Sequence, residues 1–280
     1  MREHSRARIA FTYLFLSIVG VGFIYPLIWL FFSSFKPNQE IFESIGLIPS
    51  TFVGDAYSKG WNGLGKVNFG DFFLNTFILV IPTVLMTAIS SMAVGYGFAR
   101  FQFPLKSFLF SILLATLMLP EAVVIIPRYI LFRELGWLNT YMPFYVPAIL
   151  AVNAFFVFLL VQFIRGLPRD LDEAAIVDGC NSFQILVKII VPLAVPALVS
   201  VCIFQFIWRW NDFFEALIFI NSVTKYPISL GLRMTLDAEG AVNWNSVMAM
   251  TVLSILPCIA VFFAAQRYFV EGIATTGIKG

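Results

Sequence analysis

The chain has 280 residues, of which 60% are hydrophobic and 12% are charged, with a mean hydropathy of +0.88 and a net charge of +2. An ordinary soluble domain is about 25% charged, so this composition excludes a soluble globular fold of this length. No basic run stands out, which gives no indication of nucleic acid as a partner. Because the alternating pattern of β-barrel strands is absent, we predict an all-α membrane protein that crosses the lipid bilayer several times.

Six apolar stretches are long enough to cross the bilayer core, which is about 30 Å thick and requires about 20 helical residues. They cover approximately residues 9–35, 72–99, 107–131, 142–164, 197–220 and 244–268. Arginines precede the first stretch, as they do in a signal peptide. Its apolar run is longer than a signal sequence, however, and no small-residue cleavage site follows, so we predict a retained span. The distribution of Lys and Arg predicts that both termini are cytoplasmic.

Residues for catalysis or metal binding are scarce in this sequence. The single histidine, His4, lies in the N-terminal tail, and the three cysteines have no Cys-x-x-Cys spacing, so we predict no metal site. No Gly-x-x-x-x-Gly-Lys-Ser/Thr sequence occurs, so the chain cannot bind ATP phosphates by that route. Glu121 and Arg128 are interpreted as interfacial, and the carboxylates are too scattered for a membrane-embedded hydrolase. We therefore assign no catalytic residue.

The most informative segment is a polar loop at residues 165–196, between the fourth and fifth stretches, which we predict to be cytoplasmic. Asp170 and Glu173 have the spacing of a capping box at the start of a short acidic helix, predicted over residues 171–178. Gly179 follows as the natural left-handed residue after a helix. A polar helix between two bilayer spans has little core to join, which indicates contact with another protein. A solvated connector is the alternative interpretation.

Small side chains in this helix favour close approach of a partner. Ala174 and Ala175 would let a partner surface reach the backbone, while Glu173 and Asp178 would interact with cationic groups. A Glu-Ala-Ala triplet alone is a weak signal, because it occurs in many helices. Its value depends on the spacing of the residues that follow.

The fifth stretch carries several polar residues: Arg209, Trp210, Asn211, Asp212 and Glu215. Charged groups at membrane depth are costly and face protein or a water-filled cavity. Arg209 and Asp212 are three residues apart, so they can pair on one helix face. Two interpretations remain open: these residues line a translocation pathway, where solute hydroxyl groups need donors and acceptors, or they form a salt-bridged contact with another subunit.

The full spacing of the loop resembles a known family. Glu-Ala-Ala at 173–175 is followed by three residues and Gly179, then by nine residues and Ile189-x-Val-Pro192. This pattern resembles the EAA loop of permease subunits in binding-protein-dependent ABC importers. Further segments are similar to the carbohydrate-uptake branch, among them Gly95 to Phe101 and Trp210 to Phe213. The C-terminal Gly277-Ile278-Lys279-Gly280 resembles the end of the maltose-type G subunit.

The resemblance implies a six-transmembrane-helix permease bundle in the bacterial inner (cytoplasmic) membrane. It implies one domain, 1–280, with a core at 72–270 and the coupling loop 165–196, that forms half of the translocation pathway for a sugar or related carbohydrate. The implied partners are an ABC ATPase dimer, a second permease subunit, expected to be a different chain, and an extracytoplasmic solute-binding protein. This chain would bind no cofactor and would be no enzyme, since ATP and Mg²⁺ would bind the ATPase.

The resemblance also implies which residues dock on the ATPase. The acidic helix would act as a coupling helix in a groove of that subunit, where Glu173 would face an arginine, and the C-terminal tail would reach into the ATPase pair. The implied docking residues are Glu173, Ala174, Ala175, Asp178, Gly179, Gly277, Lys279 and Gly280. The alternative function is a stand-alone ion-coupled secondary transporter, which would require two repeated halves that are not evident in the sequence.

Overall fold

The computed structural model describes residues 6–44, 46–62, 65, 67–236 and 242–276, and within these ranges every regular element is helical. The α-helices are α1 (Arg6–Ser33), α2 (Glu40–Glu43), α3 (Ala56–Asn62), α4 (Phe69–Arg100), α5 (Lys106–Leu117), α6 (Glu121–Glu134), α7 (Met142–Ile149), α8 (Ala154–Gly166), α9 (Asp170–Val177), α10 (Ser182–Ile185), α11 (Val191–Leu193), α12 (Val195–Trp210), α13 (Phe214–Phe219), α14 (Ile228–Leu236) and α15 (Trp244–Thr276). A π-helical turn (Leu186–Ile190) and a 3₁₀ turn (Val223–Lys225) complete the set. The predicted all-α class is confirmed.

Between four and six segments of the described chain are long and apolar enough to cross a membrane. Four are single candidates: Arg8–Ser33, Phe69–Arg100, Met142–Gly166 and Trp244–Gln266. Two more are bent pairs, each of which counts only if both halves belong to one span: Lys106–Leu117 with Glu121–Glu134, and Ser182–Leu193 with Val195–Trp210. The six-span count and the cytoplasmic termini therefore stay predictions.

The predicted third stretch, 107–131, is not one helix. It is divided into α5 and α6, whose axes differ by 105°. Pro120 caps α6 in an extended conformation, with φ −62° and ψ 135°. Proline has no N–H to continue a helix and disfavours helical geometry in the residue before it, so the chain turns here. The fifth stretch, 197–220, is likewise interrupted, because α12 ends at Trp210 and α13 begins at Phe214.

Two compact units make up the fold. One contains the described residues of Met1–Gly70 and Gly231–Leu256, and the other contains those of Asp71–Leu230 and Pro257–Gly280. In the first unit, Lys36 is fully buried and its Nζ donates a hydrogen bond of 2.5 Å to the carbonyl oxygen of Gly46. The assignment of residues 1–280 to a single domain stays a prediction.

The second unit has a buried core that joins α4, α8, α9, α10 and α12. The long helices contribute residues at helical spacing, and the π-helical turn contributes Ile190: Met92, Tyr96 and Ala99; Phe156, Leu160 and Ile164; Ala175; Ile185; Ile190; Ala194, Ala197 and Val201. Apolar side chains removed from water stabilise such a core by about 25 cal/mol per Å² of buried surface. The short helices α9 and α10 are thus packed against the long helices α4 and α8.

Close packing of α4 on α8 depends on Gly95. A Cβ atom at this position would lie 3.0 Å from Cβ of Leu160 and 3.5 Å from the amide nitrogen of Val161. We expect Gly95→Val to destabilise the protein by about 1–3 kcal/mol, because the added methyl groups overpack a filled contact. The measurement is the thermal unfolding midpoint of the detergent-solubilised protein.

Gly97 provides the matched control for this prediction. It lies two residues further along the same helix, but a Cβ there would meet no described atom within 4 Å. Gly97→Val therefore changes helix propensity in the same way without the clash. An equal fall in the unfolding midpoint for the two variants would contradict the packing explanation.

Candidate functional site

Helix α9 is attached to the second unit at its N-terminal half. Nε of Arg100, the last residue of α4, lies 2.9 Å from Oδ2 of Asp172, and only 7% and 15% of the two side chains are exposed. Nη2 of Arg100 also donates to the carbonyl oxygen of Leu167, at 3.2 Å. The Arg100–Asp172 contact is electrostatic, since neither oxygen of Asp172 receives a well-directed hydrogen bond from the described residues. It fixes the start of α9 to the end of α4.

The C-terminus of α9 is fixed by local backbone geometry. Gly179 has φ +81°, its N–H donates to the carbonyl oxygen of Ile176 at 3.0 Å, and the N–H of Cys180 donates to Ala175 at 2.9 Å. This pair of bonds is the Schellman motif, in which glycine takes the left-handed conformation without a Cβ penalty. The predicted conformation of Gly179 is confirmed.

The predicted capping box at the N-terminus of α9 is wrong. The N-cap residue is Arg169, which makes no side-chain cap bond, and Asp170 already lies within the first turn. The backbone oxygen of Arg169 accepts the amides of Asp172 and Glu173, so the helix begins before Asp170 can act as a cap. The structure places a capping box at the next helix, where Asn181 and Gln184 each bond the other's backbone.

The predicted docking residues on α9 divide into an exposed and a buried set. Glu173, Ala174, Asp178 and Gly179 are exposed, whereas Ala175 is 4% exposed and packs in the core of its own subunit. The side chain of Ala175 therefore does not belong to the accessible surface. The tail residues of the prediction, Gly277, Lys279 and Gly280, lie outside the described residues.

The exposed apolar residues near the end of α9 were not among the sequence predictions. Val177 is 88% exposed, and Ile176 and Phe183 are also largely exposed. Isolated exposed apolar residues are common, but here two of the three lie in the last turn of α9, next to Asp178, and Phe183 lies on the following helix. The sequence did not indicate that these residues are exposed, because apolar residues of a short amphipathic helix are ordinarily expected to pack in the protein core.

A second candidate site is a cavity of about 730 Å³ inside the second unit. Arg209, Asp212 and Glu215 line it, and their side chains form one ion network. Nη1 of Arg209 lies 2.5 Å from Oδ2 of Asp212 and 2.6 Å from Oε2 of Glu215. The predicted pairing of Arg209 with Asp212 is confirmed, and Glu215 extends it.

Arg128, which the sequence suggested to be interfacial, belongs to this network. Its Nη1 lies 2.6 Å from Oε1 of Glu215 and 3.9 Å from Oε1 of Glu121, and all three residues line the cavity. Glu215 thus accepts from two arginines that come from α6 and α12. The sequence signal was a charge within an otherwise apolar stretch, but its partner was not predictable from spacing.

Trp210 and Asn211, in contrast, do not line the cavity. The ring of Trp210 is buried, and it stacks on Phe206 with a centroid distance of 5.3 Å. Nδ2 of Asn211 donates to the carbonyl oxygen of Ile207 at 2.8 Å. The neighbouring Trp208 lines the cavity instead, together with uncharged polar residues on α4 and α12 that include Thr83 and Gln205.

Neither site has the composition of a metal centre. Within the described ranges, no three His, Cys, Asp or Glu side chains are grouped so that they would hold a metal ion. The expectation that this chain binds no metal or cofactor stays a prediction.

Residues 91–275 match the family described as "Binding-protein-dependent transport system inner membrane component". This range begins in α4 and includes α9 and the charged residues of the cavity, whereas the lining residues Thr83 and Thr87 precede it. It covers the acidic helix α9 and the loop spacing from Glu173 to Pro192, whereas the C-terminal residues 277–280 lie beyond it.

Two relatives and one solved structure extend the similarity to almost the entire chain. The probable ABC transporter permease protein YurM of Bacillus subtilis (strain 168) is 33% identical over 96% of this chain and 87% of its own length. The arabinooligosaccharides transport system permease protein AraQ of the same organism is 32% identical over 99% of this chain and 98% of its own.

The solved structure is a chain of a bacterial ABC transporter involved in the import of the acidic polysaccharide alginate. It superposes with a TM-score of 0.82 at 25% identity and covers 96% of this chain and 100% of its own length. The resemblance noted from the EAA loop is confirmed by these matches. This chain belongs to the family of binding-protein-dependent transport system inner membrane components, the permease subunits of ABC importers.

Proposed function

We propose that this chain forms half of the translocation pathway of an ATP-driven importer for a sugar or related carbohydrate, and that α9 couples it to a separate ATPase. The carbohydrate assignment is supported by the name of the AraQ relative, which refers to arabinooligosaccharides, and by the alginate importer. The pathway assignment is supported by the polar cavity, whose charged residues all lie within the family's matched range. The family match does not favour the alternative of a stand-alone ion-coupled transporter.

One observation carries the coupling proposal: α9 is fixed to its own subunit on one side and exposed on the other. Arg100 contacts Asp172, and Ala175 packs among α4, α8 and α12. A helix that transmits displacement must be rigidly attached, since a loosely held segment would move without moving the bundle. Contiguous packed elements of this kind transmit rigid-body motion between sites.

The exposed side of α9 suits a protein groove. Glu173 and Asp178 provide negative charge, Ala174 permits close approach, and Val177 provides apolar area. Charged residues set the orientation and the on-rate of a protein contact, while desolvated apolar anchors contribute most of its affinity. The Schellman turn at Gly179 ends the helix and leads the chain back toward the bundle.

The proposal also includes the topology of the chain and its partners. The face that carries α9 is cytoplasmic, as are both termini, and the two bent helix pairs each act as one span, which gives six. The partners are an ATPase dimer, a second permease subunit and an extracytoplasmic solute-binding protein, in a bacterial inner membrane. ATP and Mg²⁺ bind the ATPase, so the chemistry of hydrolysis takes place outside this chain.

Charge reversal on α9 tests the proposal. We expect Glu173→Lys in the reconstituted transporter to reduce stimulation of ATP hydrolysis by the loaded binding protein at least about tenfold. Placing like charges opposite one another across an interface costs several kcal/mol, and about 1.4 kcal/mol already corresponds to a factor of ten. A cross-linker attached to the Ala174→Cys variant should capture the ATPase subunit in native membranes.

Glu134→Lys is the matched control, because Glu134 is an exposed carboxylate on α6 whose ion pair with Arg133 is also exposed. This variant should keep full stimulation. Unchanged stimulation in Glu173→Lys, or failure of the cross-linker to capture a nucleotide-hydrolysing subunit, would contradict the proposal.

A further inference from the structure

We propose that the cavity of the second unit accepts an uncharged saccharide and rejects sugars that carry a carboxylate or a phosphate. The inference rests on the proposed function, because it concerns the solute that the pathway carries. It restricts the solute to uncharged carbohydrates. The similar proteins do not share this restriction, because one of them is a chain of a transporter involved in the import of an acidic polysaccharide.

The cavity wall contains more acidic than basic side chains. Two arginines line the cavity, Arg128 and Arg209, and three carboxylates accompany them, from Glu121, Asp212 and Glu215. Each guanidinium already lies within 2.6 Å of a carboxylate oxygen, and Glu215 contacts both. No lining arginine is therefore left without an acidic partner.

An anionic solute would meet no arginine in this wall that lacks an acidic partner. A carboxylate or phosphate taken out of water needs a cation or several directed donors to compensate its lost hydration. Here it would have to displace Glu215 or Asp212 from an existing ion pair, and it would also face the excess carboxylate, Glu121. Like charges in a partly dehydrated cavity repel strongly, because the effective dielectric constant is below that of water. The cavity thus opposes anions.

Uncharged polar side chains and one aromatic side chain remain available for binding a solute. The wall includes uncharged polar side chains, Thr116, Asn153 and Gln205, which can exchange hydrogen bonds with hydroxyl groups. The indole ring of Trp208, which is 46% exposed, adds apolar surface to the same wall. A ring with hydroxyl groups at its edge and C–H groups on its faces is complementary to this combination. The volume of about 730 Å³ lies within the range of ordinary ligand pockets.

Charged thiol reagents measure the sign of the potential inside the cavity directly. Val152 lines the cavity and is 63% exposed, so Val152→Cys places a reactive thiol there with little change in volume. The three native cysteines are replaced by alanine, and the variant is studied in the complete transporter. Two methanethiosulfonates are compared, the cationic trimethylammonioethyl reagent and the anionic sulfonatoethyl reagent, and each rate is divided by the rate with N-acetylcysteine amide. We expect the cationic reagent to react at least about fivefold faster on this scale, because focused fields change local ion concentrations by tenfold or more.

Glu121→Gln in the same background identifies the source of the preference. The side chain of Glu121 is 65% exposed and lies 3.9 Å from Arg128, so its replacement leaves the inner ion pairs in place. We expect the ratio of reagent rates to fall to within about twofold of the free-thiol value. A ratio that favours the sulfonatoethyl reagent, or that equals the free-thiol value while Glu121 is present, would overturn the inference.

The reagent experiment does not depend on coupling to the ATPase, so its failure is distinct from failure of the proposed function. A transport measurement tests the same inference at the level of the solute. Uptake of an alginate oligosaccharide by the reconstituted transporter would overturn the inference while it supported the importer function itself.

Discussion

Glu215→Gln is expected to destabilise the protein by about 3–5 kcal/mol, the range measured when one partner of a buried ion pair is removed. The side chain of Glu215 is 7% exposed and its two oxygens contact Arg209 and Arg128, each at 2.6 Å. The amide keeps the shape of the carboxylate but removes its charge, so both guanidinium groups lose a compensating anion. Asp212 and Glu121 can compensate only in part, because Glu121 is 3.9 Å from Arg128.

The measurement is the thermal unfolding midpoint of this subunit in the detergent-solubilised transporter. Glu134→Gln is the control, since its partner Arg133 and Glu134 itself are both exposed and such pairs contribute about 0–1 kcal/mol. The comparison separates the effect of burial from the effect of losing a carboxylate. Equal unfolding midpoints for the two variants would show that the ion network in the cavity does not stabilise the fold.

Arg100→Gln is expected to uncouple ATP hydrolysis from the loaded binding protein and to destabilise the protein by about 3 kcal/mol, near the lower end of the range for buried pairs. The change removes the contact of Nε with Asp172 at 2.9 Å and the hydrogen bond to Leu167. Asp172 then remains at 15% exposure without its cation. Under the proposed function, α9 keeps its exposed face but loses its fixed orientation relative to α4.

Two readouts distinguish this positioning role from general unfolding. The Ala174→Cys cross-link to the ATPase should persist in Arg100→Gln, whereas stimulation of hydrolysis should be lost. Arg169→Gln serves as the control, because Arg169 is exposed at the start of the same helix and makes no side-chain cap bond. Full stimulation in Arg100→Gln would show that the contact with Asp172 has no part in coupling.

Features that depend on neighbouring residues were predictable. Gly179 was identified as left-handed because a helix end selects glycine for reasons contained within one turn. Arg209 and Asp212 were paired because three residues separate them on one helix. The capping box failed for a reason of the same local kind, since two acceptable starts of α9 compete and the sequence does not rank them.

Contacts between distant elements were not predictable. Arg128 was interpreted as interfacial, although its guanidinium contacts Glu215, and no partner was predicted for Arg100, which contacts Asp172. Ala175 was placed on the docking surface because small residues permit close approach. That property also suits the chain's own core, where the structure buries it.

Composition and short-range spacing were enough to identify a helical membrane protein with several apolar stretches and an acidic helix between two of them, because they record what each segment can bury. The exposed side of α9 and the ion pairs of the cavity could be assigned only from the three-dimensional structure. Helix rotation and the packing of α4, α6, α8 and α12 set these outcomes, and each depends on the shape of all the others at once. An ion pair between distant residues has no periodicity in the chain, so its partners become apparent only when the helices are packed.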